Sequence, residues 1–161
     1  IHSAGYIMTD QDPEFVVLGE TRVYDFYALT TAIRLIERGA KFIATNPDVS
    51  GPSDEGTLPA AGSVAAMIQA ATGKAPYFVG KPNPVMIRAG LNKIGVHSEN
   101  AAMVGDRMDT DVRAGVEAGM RTFLVLSGST SAEQVSDFPF RPYRIYDGIG
   151  DLIRYVNPSS N

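Results

Sequence analysis

Three aspartates fall within six residues where an apolar run meets a glycine: Met103-Val104-Gly105-Asp106-Arg107-Met108-Asp109-Thr110-Asp111. The apolar run reads as a strand, and in open α/β sheets ligands bind beyond the carboxyl ends of the strands. Hard cations such as Mg²⁺ take one or two carboxylates and complete their shell with water and phosphate oxygens. Asp106, at the strand end, stands in the place for that role. Asp111 falls at a helix start, where the dipole favours a carboxylate, and from there it can hold Asp106 or a metal-bound water. The same stretch also reads as a Gly-Asp turn capped by Thr110, with its carboxylates in solvent. A second candidate is Lys81 in Gly80-Lys81-Pro82-Asn83-Pro84. Proline restricts the backbone there, and the ammonium can neutralise a carboxylate or a phosphate oxygen. The alternative is a solvated loop lysine.

Other chemistries find no support. Neither Gly73-Lys74 nor Gly80-Lys81 has the upstream glycine and following Ser or Thr of a phosphate-binding P-loop. Gly148-Ile149-Gly150 has Ile153 where the dinucleotide fingerprint needs its third glycine. His2 and His97 lie far apart, without a metal-ligand partner at helical spacing, and read as non-catalytic. Ser127-Gly128-Ser129-Thr130 reads as a loop with a helix cap at Thr130 or Ser131, with phosphate contact as the alternative. Phe138, Phe140, Tyr143 and Tyr146 read as packing aromatics. No basic stripe interleaves them, so nucleic-acid binding is not expected.

The elements that must position Lys81 and the aspartates alternate along the chain. Strands are expected over Glu14–Gly19, Lys41–Thr45, Pro76–Val79, Ala101–Val104, Thr122–Leu126 and Tyr143–Tyr146. Helices are expected over Asp25–Arg38, Gly62–Thr72, Pro84–Ile94, Asp111–Ala118, Ser131–Val135 and Ile149–Tyr155. Gly39, Gly73, Gly95 and Gly119 follow helices where a left-handed residue belongs. Strand, helix and strand within about thirty residues imply a parallel βαβ unit with a right-handed crossover, and the whole pattern is α/β. Residues 46–61 are dense in turn formers and too long for a minimal connection, so they read as a functional or mobile loop. The pattern breaks near Gly80-Lys81-Pro82, which places one α/β lobe before it and another after it.

The chain has 161 residues, no cysteine and a net charge of −4. Leu, Ile, Val and Phe make up about a quarter of it, enough for a buried core. Without cysteine there is no disulfide framework, thiolate metal site or thiol nucleophile. No apolar run approaches eighteen residues, so no membrane span is expected.

Val79-Gly80-Lys81-Pro82-Asn83-Pro84 and Val104-Gly105-Asp106-Arg107-Met108-Asp109-Thr110-Asp111 resemble motifs III and IV of the haloacid dehalogenase (HAD) superfamily. Phe15-Val16-Val17-Leu18-Gly19-Glu20, Phe42-Ile43-Ala44-Thr45-Asn46-Pro47-Asp48 and Leu126-Ser127-Gly128 resemble its NagD-like phosphatases, whose cap is of the C2 type. The resemblance runs roughly from Glu14 to Ile153. It implies a three-layer, Rossmann-like parallel-sheet core, with residues 80–161 as its C-terminal half, and residues 1–79 as the C-terminal part of an α/β cap. It further implies a Mg²⁺-dependent hydrolase acting on small phosphomonoesters, such as nucleotide monophosphates or sugar phosphates, through an aspartyl phosphate. Lys81 would orient the nucleophile and neutralise the phosphate. Asp106 would bind Mg²⁺, Asp111 would support it, and Asn46 and Asp48 would belong to the cap loop over the substrate. Arg107 and Asp109 fall at variable positions and receive no role.

The family's nucleophile and acid/base are the aspartates of an Asp-x-Asp-Gly motif, and no such motif stands here. Asp109-Thr110-Asp111 is followed by Val112, and Asp10-Gln11-Asp12 by Pro13. The expectation is that Ile1 is a truncation point, with about a hundred residues, one small domain's worth, upstream. The isolated chain is then expected to be inactive and prone to self-association. Its expected partners are a small phosphorylated substrate and either the missing N-terminal segment or a second copy, in the cytoplasm, with no nucleic acid and no membrane. The alternatives are a non-catalytic α/β binding or regulatory module, or half of a complex completed by another chain.

Overall fold

β1 (Phe15–Leu18), α1 (Phe26–Glu37) and β2 (Lys41–Ala44) form the expected strand–helix–strand unit. Asp25 starts the helix, its Oδ1 accepting the Ala28 N–H at 2.7 Å, which satisfies one of the orphan donors of the first turn. Gly39, at φ +118°, turns the chain back towards the sheet. The structure, a computed structural model, describes residues 2–156; the side chain of His2 lies outside what it describes. The chain divides after Gly80 into two units.

Residues 46–61 are not the loop expected. They hold an antiparallel hairpin of β3 (Ser50–Ser53) and β4 (Gly56–Pro59). Its composition conceals it, because Gly, Pro and Ser interrupt any apolar alternation. The reversal rests on Gly56 at φ +117° and on the Ser53 hydroxyl donating to the Gly56 carbonyl at 2.7 Å. After the hairpin come α2 (Ala61–Thr72) and β5 (Tyr77–Phe78), and the parallel order is β1-β2-β5. Leu18, Phe42 and Ala44 from the strands pack on Ile36 of α1 and on Ala65 and Ile68 of α2. The Lys74 ammonium donates to the Ile36 carbonyl at 2.6 Å, which also accepts the Gly39 N–H at 3.1 Å, and so ties the segment after α2 to the end of α1. Phe15, Val17 and Tyr77 are exposed.

In the second unit α3 (Pro84–Ile94) precedes β6 (Ala102–Gly105). α4 (Arg113–Glu117), β7 (Arg121–Val125), β8 (Arg144–Tyr146) and α5 (Ile149–Val156) follow. The sheet is parallel in the order β6-β7-β8. β7 is covered on both faces: Leu124 packs on Met108 and Val112, while Phe123 and Val125 pack with Leu152 of α5. That is why its sequence is a continuous apolar run and not an alternating one. Phe138 and Phe140 pack on the first cluster and Tyr146 on the second; Tyr143 sets its edge against Phe123.

Two local expectations are corrected. The helical turn expected to begin at Asp111 begins at Met108, and it is a π turn: the Val112 N–H donates to the Arg107 carbonyl, five residues back, at 3.0 Å. Thr110 is buried and makes no capping bond. The short helix expected over Ser131–Val135 is a 3₁₀ turn over Glu133–Asp137. Among the described residues no helix is long and apolar enough to cross a membrane.

Candidate active site

Lys81 and Asp111 are thirty positions apart, yet the Lys81 ammonium donates to Asp111 Oδ1 at 2.5 Å. Local chemistry places the lysine. Asn83 caps α3 by accepting the Val85 N–H at 2.9 Å, and Pro84 occupies the first helical turn. Lys81 therefore sits just outside a helix start whose direction is set. A Cβ at Gly80 would collide with the Thr45 carbonyl oxygen, so only glycine fits before it.

Asp111 is placed by the π turn. The extra residue in that turn swings its carboxylate back beneath the end of β6. There Oδ2 accepts the backbone N–H groups of Asp106 and Arg107, both at 3.2 Å. A Cβ at Gly105 would run into this carboxylate, so the glycine makes room for it. The Asp111 side chain is 6% exposed and that of Lys81 is 41% exposed. The solvent-facing Gly-Asp turn is thereby excluded for Asp111: a carboxylate withdrawn from water needs the three donors it has.

Asp106 extends from the carboxyl end of β6. Its Oδ2 accepts the Ser129 N–H at 2.7 Å. Partial burial raises the Asp106 pKa, but the backbone and side chain of Ser129, with the Arg107 charge, outweigh it and hold the group below the usual aspartate value. It is a carboxylate at neutral pH. Beside it, Arg107 forms a two-bond ion pair with Asp109, at 3.1 and 2.8 Å, which lowers the Asp109 pKa. Among the described residues no group of three or more His, Asp or Glu would hold a metal unaided. An ionised carboxylate at a strand end suits a hard cation that takes its remaining ligands from water and phosphate oxygens.

Lys81, Asp106 and Asp111 are thus gathered at one strand end. Asn46 and Asp48 belong to the first unit, just beyond β2, where Asn46 Oδ1 accepts the Asp48 N–H at 3.1 Å and the Asp48 carbonyl accepts the Gly62 N–H at 2.8 Å. His97 is exposed and caps nothing with its side chain. The loop residues Ser129 and Thr130, read from sequence as a cap region, instead hold Asp106. The signal available was topological: the carboxyl ends of neighbouring parallel strands lie side by side.

Residues 78–152 match the HAD-hydrolase-like family model. The chain is 61% identical over 152 residues to the dihydroxyacetone phosphatase of Corynebacterium glutamicum, covering 94% of this chain and 55% of that protein. To the ribonucleotide monophosphatase NagD of Escherichia coli it is 44% identical, covering 94% and 60%. The solved NagD structure superposes with a TM-score of 0.86. A 4-nitrophenylphosphatase from Thermotoga maritima superposes at 0.88 with 39% identity, covering 95% of this chain and 59% of the other. Residues 78–152 thus belong to the HAD-like hydrolases, and the chain is similar to NagD-type phosphatases over most of its length. It spans a little over half the length of these relatives. Lys81, Asp106 and Asp111 all lie inside the segment that matches the HAD model.

Proposed function

We propose that the full-length protein is a Mg²⁺-dependent phosphatase of small phosphomonoesters, and that this chain contributes the charge-balancing half of its site. The observation that carries this is the Lys81–Asp111–Asp106 arrangement: a lysine salt-bridged to a buried carboxylate that in turn holds the backbone of a second, ionised carboxylate. Asp106 would hold Mg²⁺, and the bound cation would offset negative charge on phosphate oxygens. Lys81 offers three ammonium protons, one of them engaged by Asp111, and the others are available to phosphate oxygens. Asp111 keeps that ammonium in place and stops the strand end from shifting. Phosphoryl transfer depends mainly on such positioning and charge balance.

In this reading residues 1–79 are part of a C2-type cap and residues 80–161 the C-terminal half of the catalytic core. Asn46 and Asp48 would belong to the cap loop that meets the substrate. The nucleophile comes from outside these 161 residues, because no Asp-x-Asp-Gly stands in them. The names of the relatives, a dihydroxyacetone phosphatase at 61% identity and a ribonucleotide monophosphatase at 44%, define the substrates to try first. The test is phosphate release by the full-length protein from dihydroxyacetone phosphate, sugar phosphates and nucleoside monophosphates. Turnover of at least one of them is expected; no release from any would overturn the proposal.

A further inference from the structure

Asp106 is gripped from the loop that follows β7. The Ser129 N–H donates to its Oδ2 at 2.7 Å. The Thr130 N–H donates to its carbonyl at 3.1 Å. The Met108 N–H, in the π turn that carries Asp111, donates to the Thr130 hydroxyl at 3.3 Å, and Thr130 is 7% exposed. Gly128 completes the grip by omission. The three nearest atoms to a Cβ at Gly128 would be Oδ2, Cβ and Cγ of Asp106 itself, all too close to coexist with it. Gly128 is exposed, and its φ lies outside the left-handed region, so the backbone does not demand glycine there. What demands it is the Asp106 carboxylate.

An aspartate at a strand end otherwise turns freely about its side-chain bonds, and a ligand that must stop that rotation binds more weakly. Here one oxygen is occupied by a short hydrogen bond to a charged acceptor, of the stronger kind. Two glycines shape the pair of carboxylates: Gly105 makes room for Asp111 and Gly128 for Asp106.

We propose that Gly128, Ser129 and Thr130 form a clamp that presets the Asp106 carboxylate for a divalent cation, with Gly128 and Thr130 as positioning residues. This rests on the reading of Asp106 as the residue that holds the metal. Outer partners of metal-binding groups typically change affinity about 10- to 100-fold when removed.

The test is Mn²⁺ binding to the full-length protein, read by the loss of the free-ion electron paramagnetic resonance signal. Gly128→Ala should weaken binding about tenfold or more. Its melting temperature in EDTA should stay within about 2 °C of wild type, since the loop is exposed. Thr130→Val should weaken binding by a similar factor, and Thr130→Ser, which keeps the hydroxyl, should restore most of it. If Gly128→Ala and Thr130→Val bind Mn²⁺ like the wild type, while Asp106→Asn does not bind, the clamp is wrong and the metal reading stands. If Asp106→Asn binds like the wild type, the metal reading falls and the clamp with it. Equal losses for Thr130→Ser and Thr130→Val would also overturn the clamp, because the hydroxyl would then be irrelevant.

Discussion

Asp111 offers two oxygens to three donors, and its burial makes each of them matter. Removing Lys81 would leave a carboxylate at 6% exposure without its counter-charge. Breaking a fully buried pair typically costs about 3–5 kcal/mol. The Lys81 side chain is 41% exposed, so solvent screening reduces the expected loss for Lys81→Ala to about 1–2 kcal/mol. Urea denaturation of the full-length protein measures it. The same substitution should lower kcat on 4-nitrophenyl phosphate about 10²- to 10³-fold, the usual cost of losing one group that stabilises developing charge. Loss of stability without loss of kcat would confine Lys81 to a structural role. Asp109 gives a pH prediction. Hydrogen bonding to Arg107 lowers its pKa on folding, so the pair stabilises the fold above the ordinary aspartate pKa of about 3.9. That contribution is lost as pH falls through the lower folded value. The side chain is half exposed, so Asp109→Asn should cost under about 1 kcal/mol at pH 7. The difference from wild type should vanish in acid, as denaturation curves at pH 7 and pH 2.5 would show.

The helices and strands were largely legible because glycine punctuates them. Gly39, Gly73, Gly95 and Gly119 mark helix ends in the sequence, and all four have positive φ. The parallel strands were legible as short apolar runs, including β7, whose two buried faces remove any alternation. The β3–β4 hairpin was not, because its strands carry Gly51, Pro52 and Pro59 and form through backbone pairing, not through an apolar face. At the site, the residue types of Lys81, Asp106 and Asp111 were legible, but the π turn that aims Asp111 was not. A one-residue change in hydrogen-bond span has no side-chain signature. The hold of Ser129 on Asp106 was equally hidden, since 23 positions separate them and only the packing of β6 beside β7 joins them. One element contact yields a further prediction. A Cβ at Gly115 in α4 would collide with Thr122 Cγ2 of β7 and stand 2.8 Å from Met103 Cβ of β6. Gly115→Ala should therefore destabilise by about 1–3 kcal/mol despite its better helix propensity. A stability gain in denaturant titration would contradict the tight seat of this helix.

Across the whole chain, each unit exposes surface that can favour association. In the first, Phe15, Val17 and Tyr77 are exposed; in the second, β6 is an edge strand among the described residues, with one side unpaired. Open edges and apolar faces favour association. The 161 residues alone are expected to self-associate in sedimentation velocity, and a sharp monomer boundary would contradict this. They are also expected to leave 4-nitrophenyl phosphate intact, because the proposed site lacks a nucleophile without the remainder of the protein. The central claim is that Asp106 and Lys81 serve a divalent-cation-dependent phosphatase. Its most direct test is 4-nitrophenyl phosphate hydrolysis by the full-length wild type and Asp106→Asn, after EDTA and across a Mg²⁺ titration. The account predicts no wild-type turnover after EDTA, recovery as Mg²⁺ is added, and little recovery in Asp106→Asn at any Mg²⁺ concentration. Wild-type turnover that survives EDTA, or a variant that recovers alongside the wild type, would contradict it.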